Sequence, residues 1–391
     1  MKISIIVPDF ARSIVAVAAL MARYVSGKHE VEIVGTRMWG TIEPANAEDF
    51  AYRPIDIPHI YRFPNYWHGV SQLADAMTGD VIIAMKAYAP ALPAALLAKR
   101  RRGCLVISYQ DEWDGAVNRF WSFSERMRWM LTDWMHPCDS LYVPHVERML
   151  PKCDLRLCTT SFLAKQFNGR VYHIGTNCDF FRPQAAEDVA PLRAELGLEG
   201  KKVVVFGGLV RPHKGVEVMA EAMVRHFGER ARLLILGPLT GDVHHLMNHP
   251  AYGKYVLCPS TNAEMALKMH KELPRYLALG DILVVPLSDD LLAQTQLPRK
   301  VYDAMAMGKP IVATKVSDLP TMLQDCAYLT PPGDVAAVAE AFRQIEEHPE
   351  TAREMGARAR ARCVAQYSSV HAQQDLLNLL ESLKQPQFGR E

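Results

Sequence analysis

The chain has 391 residues, eight cysteines and a formal net charge of +1, with 49% hydrophobic and 22% charged residues. That length suits two domains rather than one core, and the composition is globular rather than disordered. Up to residue 182 there are 21 Lys and Arg against 18 Asp and Glu, and 23 against 25 beyond it, so neither half has the basic footprint of nucleic-acid recognition and no nucleic-acid partner is expected.

The opening "MKISIIVPDFARS" carries one lysine and a five-residue apolar run that ends at Pro8, the pattern of a first strand rather than a signal peptide. Further strands are expected at VEIVG (31–35), DVIIAM (80–85), CLVISY (104–109), SLYV (140–143), LRLCT (155–159) and VYHI (171–174). The second half repeats the pattern with VVVFG (203–207), LLILG (233–237), YVLC (255–258), ILVVP (282–286), PIVAT (310–314) and AYLT (327–330). These runs are continuous rather than alternating, as in strands covered on both faces. Helical patterns such as GVEVMAEAMVRHF lie between them, and this βαβα order implies parallel sheets with helices on both faces. Thirteen such runs exceed one sheet, so the expected fold is α/β, with two doubly wound Rossmann-like domains facing a cleft. The polar segment FRPQAAEDVAPLRAELGLEGKK (181–202) marks the boundary. The domains are expected at 1–182 and 183–365, with 366–391 a C-terminal helix packing back on the first. In open α/β sheets ligands bind at the carboxyl ends of the strands, which puts the expected site in the cleft.

The cysteines are scattered, with no CxxC pair and no Cys/His set of zinc spacing, so free thiols in a reducing cytoplasm and no metal are expected. No stretch approaches the length of a membrane span. All six tryptophans lie in the first half, and Trp113, Trp121, Trp129 and Trp134 fall close together with Arg126 and Arg128. That segment reads either as a core helix or as a surface of rings and cations for an acceptor or a membrane. With "KRRRG" (99–103) it raises the expectation of peripheral membrane contact.

The chemistry concentrates in two segments. "GGLVRPHKG" (207–215) follows a buried strand. Gly207 and Gly208 allow close backbone approach to a ligand, and the N–H groups of the helix that follows point at the same spot. Arg211 supplies a planar fork and Lys214 a point charge, a pair suited to a diphosphate. The spacing is neither that of a Walker loop nor GxGxxG. In "LPRKVYDAMAMGKPIVAT" (297–314), Pro298 opens a short helix that Gly308 and Pro310 close. Lys300 in its first turn opposes the helix dipole unless an anion bridges the two. Asp303, one turn on, is placed to accept hydrogen bonds from sugar hydroxyls.

These segments, with "LLILGP" and "KELPRYLALGDILVVPL" between them, resemble the donor half of the retaining GT-B glycosyltransferases of the large group 1 (family 4-like). Upstream, "CTTSFLAKQFNGRVYHIGTNCDFFRP" resembles that family's hinge: Asn177, Asp179, Phe181 and Pro183 match, and Cys178 stands in the glycine's place. The stretch from DVIIAM to "YQDEW" is similar to members with an acidic Asp-Trp motif after the fourth strand. The resemblance implies a GT-B architecture, a nucleotide-diphosphate sugar as donor substrate, no further cofactor and a hydroxyl acceptor. It assigns the diphosphate to Arg211 and Lys214, close sugar-phosphate approach to Gly207 and Gly208, the distal phosphate to backbone around Pro298, Arg299 and Lys300, and the ribose to Asp303. Asp303 stands where the family has a glutamate, and Thr295 where another glutamate contacts the donor sugar.

In the first half Asp111, Glu112 and Asp114 follow CLVIS; Asp111 is the favoured group to orient or deprotonate the acceptor hydroxyl, against an N-cap or solvated loop. Asp9 to Arg12 replace the glycine pair of relatives and are expected to shape acceptor binding, while His145 and His173 read as packing or surface residues. A dinucleotide-dependent oxidoreductase needs a glycine fingerprint after its first strand, which "VPDFARSIVA" lacks. A catalytically degenerate GT-B-like binding or scaffolding subunit stays open beside the enzyme, because of Thr295 and Asp303.

Overall fold

A computed structural model describes residues 1–38, 52–57, 59–119 and 121–383. The chain divides into two compact units, Met1–Ile174 with the chain from Ala372 onward, and Gly175–His371. In the first unit the strands are β1 (Lys2–Val7), β2 (Glu30–Gly35), β3 (Tyr52–Pro54), β4 (Val81–Met85), β5 (Leu105–Gln110), β6 (Leu155–Cys158) and β7 (Arg170–Val171). They form one sheet in the order β3-β2-β1-β4-β5-β6-β7, with every described pairing parallel. The second unit has β8 (Lys202–Gly207), β9 (Ala231–Leu236), β10 (Val256–Leu257), β11 (Ile282–Val285), β12 (Ile311–Thr314) and β13 (Tyr328–Thr330). Their order is β10-β9-β8-β11-β12-β13, again parallel.

The continuous apolar runs are buried on both faces, as in β4 and β11, where every residue is buried. The side chains stand alternately above and below the sheet and each face is covered by helices. In the second unit Phe206, Leu233, Ile235 and Val284 share one core with Met219, Met223 and Phe342 from helices Val216–Phe227 and Val335–Glu347. In the first, Ile6, Ile82 and Val106 pack with Leu73 and Leu92 from helices Asn65–Ala76 and Ala91–Arg102.

SLYV forms no strand. It becomes a 3-10 turn at Ser140–Tyr142 and a short helix at Val143–Glu147. Pro144 lies in that helix's first turn, where its missing N–H costs nothing, whereas in a strand it would break the ladder. VYHI gives only its first residue to β7; Tyr172 turns its hydroxyl to the Ala372 carbonyl at 3.1 Å. Strand β3, unforeseen from sequence, is three residues on the sheet edge, a position that tolerates Pro54. At the C-terminus lie helices Pro349–Gln366 and Ser369–Ser382. Within the first unit Gln373 donates to the Tyr24 carbonyl at 2.8 Å, and Leu376 and Leu380 are fully buried. All eight cysteines are free and buried.

Each sheet has a point where the strand order reverses, between β1 and β4 and between β8 and β11. The strand ends there open onto Pro8 and Lys86 in the first unit, and Gly208 and Pro286 in the second. Open α/β sheets bind ligands at such places.

Candidate active site

In the second unit, β8 ends at Gly207 and Gly208 follows it. Gly208 has φ +111°, a conformation that side-chain-bearing residues avoid, and its N–H donates to the Leu236 carbonyl at 2.7 Å. The neighbouring Gly237 admits this path, since a Cβ there would lie 2.2 Å from the Gly208 oxygen. The chain then runs through extended Arg211 into a 3-10 turn, Pro212–Lys214, and Gly215 at φ +61° starts helix Val216–Phe227 with no side-chain cap on its N–H groups. The β11 loop clamps this turn: the His213 carbonyl accepts from the Ser288 N–H at 3.1 Å and its hydroxyl at 3.0 Å. Arg211 is exposed and lines a pocket of about 370 Å³ with Pro212, Gly215, Ser288 and Thr314.

Lys214 donates to the side-chain oxygen of Gln296, just after helix Leu291–Thr295. Lys300, the first residue of helix Lys300–Ala306, holds its ammonium 3.4 Å above the centre of the Phe206 ring. Burial, then the nearby Lys214, holds the Lys300 pKa well below the ordinary lysine value. Two ammoniums are thus gathered at one strand end, with that of Lys300 against the face of the Phe206 ring. Pro298 is half-buried and Arg299 exposed at the N-cap of that helix. Asp303 accepts from the Thr176 hydroxyl at 2.7 Å; burial pushes its pKa up, and Arg299, this hydrogen bond and His270 pull it back. Thr295 is fully buried, with its hydroxyl donating to the Leu292 carbonyl at 3.0 Å. The structure therefore brings Lys214, Lys300, Gln296 and Phe206 together, sets Arg299 beside Asp303, and turns Thr295 inward.

In the first unit a second charged cluster surrounds Lys86, which leaves β4 at φ +67°. Its ammonium lies 2.5 Å from Glu112, 3.2 Å from Asp114 and 3.1 Å from Asp111 Oδ1, the last without hydrogen-bond geometry. Oδ1 of Asp111 is enclosed, while the side chain as a whole is 32% exposed. Tyr88 donates to Asp114 at 3.2 Å, and Arg12 lies 4.5 Å over the Tyr88 ring. Burial, partly offset by Lys86, pushes Asp114 up to about 7, and burial raises Asp111 too. Asp114, crowded with Asp111 and Glu112 around one ammonium, thus keeps a proton close to neutral pH. Glu147 anchors the loop by accepting from the Trp113 ring N–H at 3.1 Å and the Gly115 N–H at 2.8 Å. Asp9 is a buried brace of its own loop, accepting from the Ala11 and Met38 N–H groups and the Thr36 hydroxyl.

Helix Phe123–Thr132 has no buried residue, so it is not a core helix. Trp121 and Trp129 stack at 5.5 Å, Trp113 is buried, and Trp39 lies outside the described residues. The KRRR run is tied to its own unit: Lys99 pairs with Asp154, Arg101 with Asp75, and Arg102 donates to the Gly79 carbonyl. His145 is exposed. Among the described residues, one trio has metal-ligand spacing: Asp133, His136 and Asp139. His136 already accepts from Arg62 at one ring nitrogen and faces Asp133 with the other, which makes it a hydrogen-bonded cluster. No helix among the described residues is long and apolar enough to cross a membrane. Sequence reasoning missed Lys86, Gln296, Phe206 and Thr176. Lys86 had a signal in "VIIAMKAYAP", a lone cation straight after a buried run.

Residues 200–348 match the family "Glycosyl transferases group 1". The chain is 24% identical over 185 residues to the alpha-D-kanosaminyltransferase of Streptomyces kanamyceticus, covering 46% of this chain and 45% of that protein. It is 26% identical over 201 residues to a D-inositol 3-phosphate glycosyltransferase of Streptomyces scabiei (49% and 44%), and 24% identical over 289 residues to the sulfoquinovosyl transferase SQD2 of Arabidopsis thaliana (72% and 52%). The matches thus span about half the length of these relatives. Among solved structures, Anabaena Alr3699/HepE with UDP-glucose superposes with a TM-score of 0.74 at 15% identity, over 98% of this chain and all of that one. Sucrose-phosphate synthase of Thermosynechococcus elongatus gives 0.72 at 16%, over 98% and 99%. The fold is that of these proteins, the GT-B architecture.

Proposed function

We propose that this chain, whose residues 200–348 match the glycosyl transferases group 1 and whose fold is GT-B, transfers a sugar from a nucleotide-diphosphate donor to a hydroxyl acceptor, with retention of anomeric configuration. The observation that carries the reading is the gathering of Lys214 and Lys300 at the β8 end, beside exposed Arg211. An anion between them relieves the repulsion that, after burial, lowers the Lys300 pKa. UDP in the structural neighbour Alr3699/HepE supports a nucleotide as that anion.

Cleaving the bond from sugar to diphosphate puts charge on the leaving oxygens. In this reading Arg211, Lys214 and Lys300 meet that charge and stabilise it more in the transition state than in the ground state. The leaving phosphate takes the acceptor's proton on the face where attack occurs, so no protein nucleophile is required. Neutralisation by side chains leaves no role that needs a metal. Asp303 receives the ribose hydroxyls through the oxygen not held by Thr176. In the first unit the Lys86-anchored Asp111 orients the acceptor hydroxyl, with Asp114 holding a proton. The acceptor belongs to glycan, glycolipid or metabolite biosynthesis. A cytoplasmic location with peripheral membrane contact belongs to the same reading.

Buried Thr295, at the place of a donor-contacting glutamate in the family, favours a second reading: a degenerate subunit that binds the nucleotide without transfer. Release of UDP from UDP-glucose, measured for the protein and Arg211→Ala with and without candidate acceptors, separates the two. Acceptor-stimulated release abolished by the substitution supports transfer. Nucleotide binding with no release supports the degenerate subunit.

A further inference from the structure

An amphipathic helix on a globular protein normally turns its apolar stripe to the core. Helix Phe123–Thr132 does the reverse. Phe123, Met127, Met130 and Leu131 fall at i, i+4, i+7 and i+8, on one face, and are 80%, 40%, 54% and 73% exposed. The band continues beyond the helix. Trp134 is 57% and Met135 36% exposed; the Met135 carbonyl accepts from the Phe63 N–H, and the Phe63 ring lies 6.3 Å from that of Trp67, itself 63% exposed.

The charges around this band select the occupant. Both acids of the segment are engaged inside the chain: Glu125 closes a capping box with Ser122, and Asp133 accepts from the Thr132 hydroxyl and faces His136. The arginines are both exposed and lie on opposite borders of the stripe, Arg126 beside Met130 and Arg128 beside Leu131. Arg128 also stands 6.0 Å over the Trp129 ring, which stacks on Trp121. An apolar strip with arginines along both edges and indoles beside it fits an acyl boundary overlaid by anionic headgroups. We infer that the exposed face of helix Phe123–Thr132, extended by Trp134 and Trp67, docks the first unit on an anionic lipid surface. This deepens the peripheral contact in the proposed function, and it assigns the contact to the helix and not to the KRRR run, where Lys99, Arg101 and Arg102 are engaged within the unit.

The test is co-sedimentation of the whole chain with large unilamellar vesicles of phosphatidylcholine, with and without phosphatidylglycerol. Phe123→Ser/Leu131→Ser and Arg126→Ser/Arg128→Ser are compared with Arg100→Ser/Arg101→Ser. Binding to the anionic vesicles alone is expected at low salt. Partitioning should fall about tenfold or more when both apolar side chains are lost, less for the helix arginines, and little for the KRRR pair. Because the stripe is exposed, the melting temperature and its shift with UDP should stay unchanged in these variants. A failure of the glycosyltransfer reading therefore shows in the nucleotide response and not in the sedimentation. The inference is overturned if the protein ignores anionic vesicles, if the stripe variant binds as well as the parent, or if the stripe holds two copies of the chain together in light scattering.

Discussion

Arg211 and Lys300 occupy opposite electrostatic situations at one site. Arg211 is exposed, so Arg211→Ala should leave the melting temperature nearly unchanged. Nucleotide binding should nevertheless be lost, with the transfer barrier raised by about 3–4 kcal/mol, roughly a hundred- to thousandfold in rate. Isothermal titration with UDP and the rate of UDP release check both. Lys300 sits in the native state with a pKa below its unfolded value. Its charged form therefore costs stability in full below the folded pKa; the cost shrinks as pH rises from that pKa and is gone only above the unfolded one. Lys300→Met should raise the melting temperature of the free protein at neutral pH and weaken nucleotide binding. A lower melting temperature with unchanged affinity would count against the anion role. Asp114 has the contrary sign of pH dependence. Its pKa is raised to about 7, so the folded state holds a proton that the unfolded state has released, and stability falls as pH rises from about 4 to 7. Asp114→Asn should remove that slope from urea midpoints measured across this range.

At the scale of elements, the loop after β8 depends on two glycines that act together. Gly208 occupies φ +111° and Gly237 gives its carbonyl room. Gly237→Ala should cost about 1–3 kcal/mol and disturb nucleotide binding too, visible as a lower urea midpoint together with a smaller shift on adding UDP. Lys86→Met should cost about 3–5 kcal/mol, because it leaves Asp111, Glu112 and Asp114 crowded without their ammonium. The strands were legible from sequence wherever both faces are buried, as in VIIAM and ILVV, since continuous β-branched runs have few other solutions. SLYV misled because its apolar content gave no hint that Pro144 would begin a helix. The edge strand Tyr52–Pro54 was hidden because an edge needs little apolar content. Helix Phe123–Thr132 was open to two readings because periodicity fixes which residues share a face, not which way that face turns.

For the molecule as a whole, the family resemblance anticipated a fold that the solved structures share, and the second-unit motifs fell at the strand-order reversal where a parallel sheet binds ligands. Less was legible in the first unit. The Lys86 cluster joins residues from the β1, β4 and β5 loops, and no local pattern connects Arg12, Lys86 and Asp114 before the sheet brings them together. Thr295 was also beyond sequence reading, since its burial follows from how helix Leu291–Thr295 seats after Asp290 caps it. In the proposed function a nucleoside diphosphate binds between the Gly207–Gly215 turn and the start of helix Lys300–Ala306. Its most direct test is the melting temperature of the protein and of Arg211→Ala with UDP, GDP, ADP and dTDP, because a ligand bound to the native state raises the midpoint by mass action. A rise with one of these nucleotides that vanishes in the variant is expected. No rise with any of them, or an equal rise in the variant, would contradict it.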